Sequence, residues 1–145
     1  MKNLNKYEES VNIKIPFHDI DLAQVVWHGN YVKYLEIARS ALLKKFDYDI
    51  TEMLQSDYAW PVIELKCRFT RTVQYGHEIT VTAKIIEIKN RLKISYTIID
   101  SDTKERVCRA HTIQVAINMV KREMCLESPE ILFDKLGATE DEELL

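Results

Sequence analysis

Residues 15–43 read IPFHDIDLAQVVWHGNYVKYLEIARSALL and join the end of a strand, a loop and a long helix. Apolar and polar residues alternate from Val11 to Phe17, which predicts a half-buried strand, and Pro16 predicts an edge or strand-end position. From Tyr31 to Phe46, polar residues recur at helical spacing between apolar ones. This pattern predicts a helix that is mostly buried.

Four further strands are expected after this helix. The run from Ile63 to Thr70 alternates apolar and polar residues, as a strand with one buried face does. The runs from Glu78 to Ile88 and from Leu92 to Asp100 alternate in the same way, and the short interval between them predicts a hairpin. The last strand is expected from about Arg106 to Met119.

The end of the chain carries two weaker signals. The phase of the last strand is unclear around Arg109 and His111, which predicts a bulge there. A short helix is expected from Ser128 to Leu136, with Ser128 as its N-cap and Pro129 at its first position. An acidic tail occupies residues 138–145.

The order of these elements predicts an α+β fold in which one long central helix is wrapped by a five-stranded antiparallel sheet. We expect a single domain over residues 1–145. One helix cannot cover both faces and both edges of such a sheet, so the pattern also predicts self-association.

Composition excludes several classes of function. The chain has 145 residues, and 20 Lys and Arg stand against 23 Asp and Glu, so no excess positive charge favours a nucleic-acid partner. Three cysteines without metal-ligand spacing predict neither a disulfide framework nor a zinc site. The sequence shows no signal-peptide core and no apolar run of membrane-spanning length. We therefore expect a cytoplasmic protein without a membrane partner.

The loop between the first strand and the helix concentrates the reactive side chains. It holds two carboxylates, Asp19 and Asp21, together with His18 and His28. The first amides of the following helix lack intrahelical partners and can stabilise an anion. A carboxylate, amide donors for an oxyanion and an apolar slot suffice for thioester hydrolysis, without a metal or other cofactor.

The same loop resembles the 4-hydroxybenzoyl-CoA thioesterase family of hotdog proteins, which includes the acyl-CoA thioesterases associated with the Tol-Pal system. The resemblance lies in three elements that match the family's D-x-D, V-V-aromatic-H-x-N-Y and E-x-A-R patterns. In this sequence they are Asp19, Ile20 and Asp21; Val25, Val26, Trp27, His28, Gly29, Asn30 and Tyr31; and Glu36, Ala38 and Arg39.

The resemblance implies a hotdog fold and a thioesterase acting on acyl-CoA or aroyl-CoA. It places the catalytic nucleophile or general base at Asp21, and it assigns polarisation of the thioester carbonyl to the backbone amide of His28. It implies a homodimer or homotetramer with sites across the subunit interface. The loop and helix-start residues expected to contact the substrate are Gln24, Trp27, Gly29, Asn30 and Tyr31.

One position departs from the family, because Gln24 stands where glycine is usual. This leaves open whether Gln24 narrows the pocket, orients the acyl group or changes the loop conformation. Two alternatives to acyl-CoA hydrolysis also remain open. One is a thioesterase for acyl groups on an acyl carrier protein, and the other is a non-catalytic hotdog protein that binds acyl chains. A dehydratase is disfavoured because its H-R-x-P-F-like segment is absent.

Several residues have a plainer structural interpretation. Glu36 and Arg39 have the spacing of a local helical ion pair. Cys67 falls in the apolar phase of its strand and is expected in the core. The remaining basic positions are expected to be solvated singly, or to meet CoA phosphates or an acidic carrier protein together. They are Arg68, Arg71, Lys89, Arg91 and Lys93.

Overall fold

A computed structural model describes residues 5–140. Its three α-helices are α1 (Asn30–Lys44), α2 (Ile50–Gln55) and α3 (Glu130–Leu136), and a single 3-10 turn covers Phe17–Asp19. The strands are β1 (Glu8–Lys14), β2 (Tyr58–Ala59), β3 (Val62–Phe69), β4 (Glu78–Glu87), β5 (Leu92–Asp100), β6 (Arg106–Gln114), β7 (Ile117–Asn118) and β8 (Glu123–Met124). No helix within the described residues is long and apolar enough to cross a membrane.

Five strands form one antiparallel sheet in the order β1-β4-β5-β6-β3. Alternate residues of β4 and β5 point to one face and are almost fully buried, as the alternating sequence pattern predicts. Leu35, Ala38 and Leu42 of α1 are buried in the same core. Each buried leucine of this kind contributes about 2 kcal/mol. The expected central helix and five-stranded antiparallel sheet are therefore confirmed.

The expected last strand, residues 106–119, is wrong as a single element. β6 ends at Gln114, and the chain then joins a second sheet with strand order β2-β7-β8. Five consecutive residues, 112–116, are buried, whereas a strand with one solvated face alternates buried and exposed positions. The bulge lies at Val107, earlier than expected, where Ile98 pairs with Cys108 and Ile99 with Arg106.

The boundaries of two other elements also differ from expectation. β1 runs from Glu8 to Lys14, three residues earlier at each end than expected, because the chain enters the 3-10 turn at Phe17. Ser128 does not cap α3 as expected. Pro129 occupies the cap position, and the Ser128 hydroxyl is buried without a described hydrogen-bond partner. Residues 141–145 of the acidic tail lie outside the described part of the chain.

The two edges of the large sheet differ in character. β1 lies beside α1 and Val11 and Ile13 pack against the core, whereas β3 is exposed over nearly its whole length. Leu65 and Phe69 on β3 are each 42% exposed, and Ile63 is 59% exposed. Uncovered apolar side chains along a strand with free backbone groups form a surface that favours pairing with another strand.

Candidate active site

The reactive loop is held to the start of α1 by Asp19, whose side chain is only 2% exposed. The Lys33 ammonium donates to Asp19 Oδ1 at 2.6 Å, and the Tyr34 hydroxyl donates to Asp19 Oδ2 at 2.6 Å. The Asp19 carbonyl accepts from the Trp27 amide and from Asn30 Nδ2, both at 3.0 Å. Asp19 thus ties the 3-10 turn both to the loop residue before the helix and to the first turns of α1.

The charge state of this anchor follows from its surroundings. Burial raises the pKa of Asp19, but the hydrogen bonds from Lys33 and Tyr34 outweigh it and hold the pKa below the ordinary value of 3.8. Burial, with the neighbouring Asp19 carboxylate, raises the pKa of Tyr34 and keeps its hydroxyl protonated as a donor. Asp19 is therefore an ionised structural carboxylate with both oxygens occupied.

Asp21 lies in a tight hairpin loop. Ile20 and Val26 form a β-bridge, the Asp21 amide donates to the Val25 carbonyl at 2.9 Å, and the Gln24 amide donates to the Asp21 carbonyl at 2.9 Å. Gln24 has φ of 64°, in the left-handed region. This is the pattern of a three-residue hairpin in which the left-handed position favours glycine. The loop therefore keeps a glycine-like conformation although the side chain is glutamine.

The carboxylate of Asp21 is held on one side and open on the other. Its Oδ1 accepts the amide of Ala23 at 2.8 Å, and no described residue bonds Oδ2. The side chain lines an open cavity of about 730 Å³, which Gln24 also lines. Phe17 and Tyr75 form another part of the wall, with their rings edge to face at 5.9 Å. A carboxylate so placed can act as a base or nucleophile beside an apolar group.

The start of α1 supplies the amide donors. Within residues 5–140, the backbone amides of His28 and Gly29 donate no hydrogen bond, whereas the next two amides donate to the carbonyls of Trp27 and His28. A Cβ at Gly29 would overlap the ring of Trp27, so a larger residue there would displace this half-exposed ring. Two open amides at a helix N-terminus can stabilise an oxyanion.

The other residues implied by the resemblance have distinct positions. The His28 side chain is exposed and its ring centroid lies 5.2 Å from that of Trp27. Tyr31 is only 3% exposed and packs against Tyr34 and Phe69 in the core, and burial raises its pKa to about 12. The Asp21 cavity is not lined by any residue from Trp27 to Tyr31. The helix start is joined to the Asp21 loop through Asp19, whose carbonyl accepts the Trp27 amide.

Sequence reasoning missed the residues that support the loop from elsewhere. Lys33 is one of the polar residues that recur at helical spacing in the predicted helix, and this pattern does not indicate that it pairs with Asp19. Tyr75 reaches the cavity from the β3–β4 connection, which is tied to the loop because the Val26 amide donates to the Val73 carbonyl at 2.8 Å. Phe17 and Tyr75 are aromatic residues that the fold leaves exposed, and this exposure is the feature that marks them as cavity residues.

A second cavity, of about 610 Å³, lies between α1, α2 and the small sheet. Its wall is mostly apolar and includes Met53 and Trp60. Arg39 also lines it and forms the expected ion pair with Glu36 at 2.6 Å. Gln114, 4% exposed, donates to the Trp60 carbonyl, but its side-chain oxygen has no described partner. An apolar cavity with a few polar groups is typical of a small-molecule pocket.

The side chains of the described chain offer no cluster of three or more His, Cys, Asp or Glu with metal-binding geometry. Cys67, Cys108 and Cys125 are free thiols. Burial raises the pKa of Cys67 and raises that of Cys108 to about 12, so neither thiol is poised as a nucleophile.

A helix wrapped by this sheet, with a carboxylate loop at the helix start, defines a hotdog thioester hydrolase. The chain belongs to the thioesterase-like superfamily, whose family model matches residues 15–134. It is 27% identical over 127 residues to the Synechocystis sp. protein named "Putative esterase sll0410", covering 87% of this chain and 76% of that protein.

Two solved structures share the fold. The 1,4-dihydroxy-2-naphthoyl-CoA thioesterase from Synechocystis superposes with a TM-score of 0.81 at 18% identity, covering 93% of this chain and 99% of that one. The 12:0-ACP thioesterase from Umbellularia californica has a TM-score of 0.80 at 16% identity, covering 96% of this chain and 53% of that one. The expected hotdog fold is thus confirmed.

Replacing Asp19 with Asn should lower the free energy of unfolding at neutral pH by about 2 kcal/mol, because two charge-assisted hydrogen bonds weaken. Since the pKa of Asp19 is lowered in the folded protein, its contribution is present above the unfolded pKa and is lost as pH falls through the folded pKa. Urea unfolding at neutral and acidic pH would show a smaller acid-induced loss for the variant. Asp102→Asn, at an exposed position, is the control, and equal losses in both variants would contradict the anchor role.

Replacing Gln24 with Gly should raise the free energy of unfolding by up to about 1 kcal/mol, because the left-handed backbone is strained for residues with a Cβ. The greater unfolded-state entropy of glycine offsets part of this gain. Gln24→Ala is the matched control, since it removes the same side chain but keeps the Cβ. Chemical unfolding that ranked Ala at or above Gly would exclude backbone strain as the cause.

Proposed function

We propose that this protein hydrolyses acyl-CoA or aroyl-CoA thioesters to the free acid and CoA, in the manner of the 4-hydroxybenzoyl-CoA thioesterase type, with Asp21 as the reactive carboxylate. The observation that carries the proposal is the asymmetry of Asp21. The Ala23 amide orients one carboxylate oxygen, the other has no described partner, and the side chain lines the cavity. An oriented carboxylate with one free oxygen is what attack on a carbonyl, or on a water beside it, requires.

The proposed reaction uses the helix start as its oxyanion site. Asp21 removes a proton from water as the water oxygen attacks the thioester carbonyl carbon, or attacks that carbon itself to give an acyl-aspartyl anhydride that water then hydrolyses. The open amides of His28 and Gly29 donate to the carbonyl oxygen as negative charge develops. In either route, collapse of the tetrahedral intermediate breaks the carbon–sulfur bond and releases the CoA thiolate, which takes up a proton from solvent. In the general-base route, Asp21 then returns the proton that it took from water to solvent and is again a carboxylate.

The proposed active form is a homodimer joined through β3. The apolar residues along this edge are only partly covered within the described chain, with 42% to 59% of each exposed: Ile63, Leu65 and Phe69. Antiparallel pairing of β3 with its copy would continue the sheet and bury them about a twofold axis. A homotetramer built from two such dimers is the alternative. The three free cysteines suit the reducing conditions of the cytoplasm, where we propose that the protein acts.

Twofold pairing also suggests where the acyl group binds. Phe69, at one end of β3, contacts Tyr31 at the start of α1, whereas the Trp60 cavity lies at the other end of the strand. Antiparallel pairing brings opposite ends together, so the Asp21 loop of one subunit would face the partner subunit's copy of the cavity of about 610 Å³. This cavity has room for an aromatic ring or a medium acyl chain. Neighbours with the same fold are named for a naphthoyl-CoA and for a 12:0-ACP substrate.

Asp21→Asn should lower kcat by about 10² to 10⁴ with little change in KM, because the amide fills the same space but cannot act as base or nucleophile. Steady-state kinetics with a panel of aliphatic and aromatic CoA thioesters tests this expectation. Asp102→Asn, which removes one exposed carboxylate elsewhere, should keep wild-type kcat. A kcat for Asp21→Asn above about a tenth of the wild-type value would overturn the assignment.

Leu65→Lys should convert the protein to a monomer and reduce activity at least about tenfold, because like charges would meet across the twofold axis. Light scattering and kcat/KM on the same sample test both effects. Asn12→Lys introduces a charge at an exposed position on the opposite edge strand β1, so it should leave assembly and activity unchanged. An active wild-type monomer, or a fully active Leu65→Lys dimer, would be inconsistent with the shared site.

A further inference from the structure

The outer face of the sheet, which points away from α1, carries a cluster of basic side chains. Register places Lys66 opposite His111 and Arg68 opposite Arg109, on the edge strand β3 and its neighbour β6. Lys93 of β5 joins them around a shallow depression of about 280 Å³. We call these five residues the basic face: Lys66, Arg68, Lys93, Arg109 and His111.

The positive charge of the basic face is only partly balanced within the described chain. No salt bridge among residues 5–140 involves Lys66, Arg68, Lys93 or Arg109. The Glu64 carboxylate bonds His111 at 2.7 Å and also attracts Lys93, which leaves three cations without an acidic neighbour in a salt bridge. Arg68 and Arg109 face each other directly, an arrangement that destabilises an antiparallel strand pair. The whole chain carries a net charge of −3, so this is a local concentration of cations.

The shape of the basic face selects among anionic partners. It is a shallow depression on the sheet surface, and none of the residues that line it is a Phe, Tyr or Trp on which an adenine base could stack. The Cβ atoms of opposite residues on paired strands are about 5 Å apart, which is close to the spacing of about 5–6 Å between the Cβ atoms of residues at i, i+3 and i+4 on a helix. An acidic helix therefore fits this surface better than a free nucleotide does.

We propose that the basic face docks an acidic helix of an acyl carrier protein that presents the thioester to the Asp21 loop. This inference rests on the proposed thioester hydrolysis. Its position supports it, because Arg68 adjoins Phe69, whose ring centroid lies 5.0 Å from that of Tyr31 at the start of α1. The docking surface thus lies at the end of β3 that reaches the amide donors.

The basic face is also unsuited to contact with its own copy. Two such surfaces packed together would place like charges opposite one another, which costs several kcal/mol. The face therefore stays free in an assembly joined through β3, and pairing of β3 with its copy would set the two basic faces side by side on one continuous sheet. A docked carrier then meets cations from both subunits.

The binding test uses purified holo-acyl carrier protein without an acyl group, so that no hydrolysis is needed. Calorimetric titration of the wild-type protein should show binding that weakens as salt is raised, since exposed charge pairs are screened. Arg68→Glu/Arg109→Glu should weaken this binding at least about tenfold, because two cations of the basic face become anions. Asp21→Asn should bind the carrier as the wild type does, which separates docking from catalysis.

Lys44→Glu/Lys104→Glu is the matched control, because it reverses two exposed charges elsewhere and changes the net charge equally. It should bind the carrier with wild-type affinity. Equal weakening in both double variants would show an effect of overall charge and overturn the proposal, as would unchanged binding in Arg68→Glu/Arg109→Glu. Failure of the wild type to bind the carrier while it binds phosphatidylglycerol vesicles would assign the basic face to a lipid surface instead.

Discussion

The buried carboxylate of Asp19 is the contact on which the rest of the site depends. A carboxylate taken out of water is unfavourable unless its oxygens are paired, and here Lys33 and Tyr34 pair both of them. Because these partners lie one after the other on α1, they fix the 3-10 turn to one side of the helix. The carbonyl of the same residue then fixes Trp27 and Asn30. The loop between these two attachments, which includes Asp21, has little freedom left.

The two aspartates of the loop, Asp19 and Asp21, therefore have different surroundings in this chain. Asp19 is enclosed and has both oxygens occupied, so it holds structure and has no free oxygen for chemistry. Asp21, two residues later, is partly open and keeps one oxygen without a described partner. The short hairpin around Gln24 accounts for the difference, because it turns the chain sharply between the buried bridge at Ile20–Val26 and the solvent. Neighbouring residues of the same chemical type thus acquire different roles from backbone geometry alone.

Sequence patterns predicted the fold well where one face of an element is buried and the other is solvated. The β4–β5 hairpin and α1 have this property, and their expected bounds agree with the structure to within about two residues. The pattern failed at residues 112–116, where both faces of the chain are covered and alternation disappears. For the site, the motif points to Asp21, whose role stays a prediction, and neither the burial of Asp19 nor the left-handed backbone of Gln24 has a local signal in the sequence. The burial of Asp19 depends on Lys33 and Tyr34, which the fold brings to it from α1.

The packing of Trp27 over Gly29 has a practical consequence for intrinsic tryptophan fluorescence. The chain contains two tryptophans, and they occupy opposite environments. Trp27 is 51% exposed beside the open amides of the helix start, whereas Trp60 is 7% exposed and donates through its indole nitrogen to Tyr48. Their fluorescence emission therefore differs in wavelength, with Trp27 to the red and Trp60 to the blue. The molecule thus carries one intrinsic optical reporter at its reactive loop and another in its interior, so ligand arrival and loss of the core can be followed separately in a single unlabelled sample.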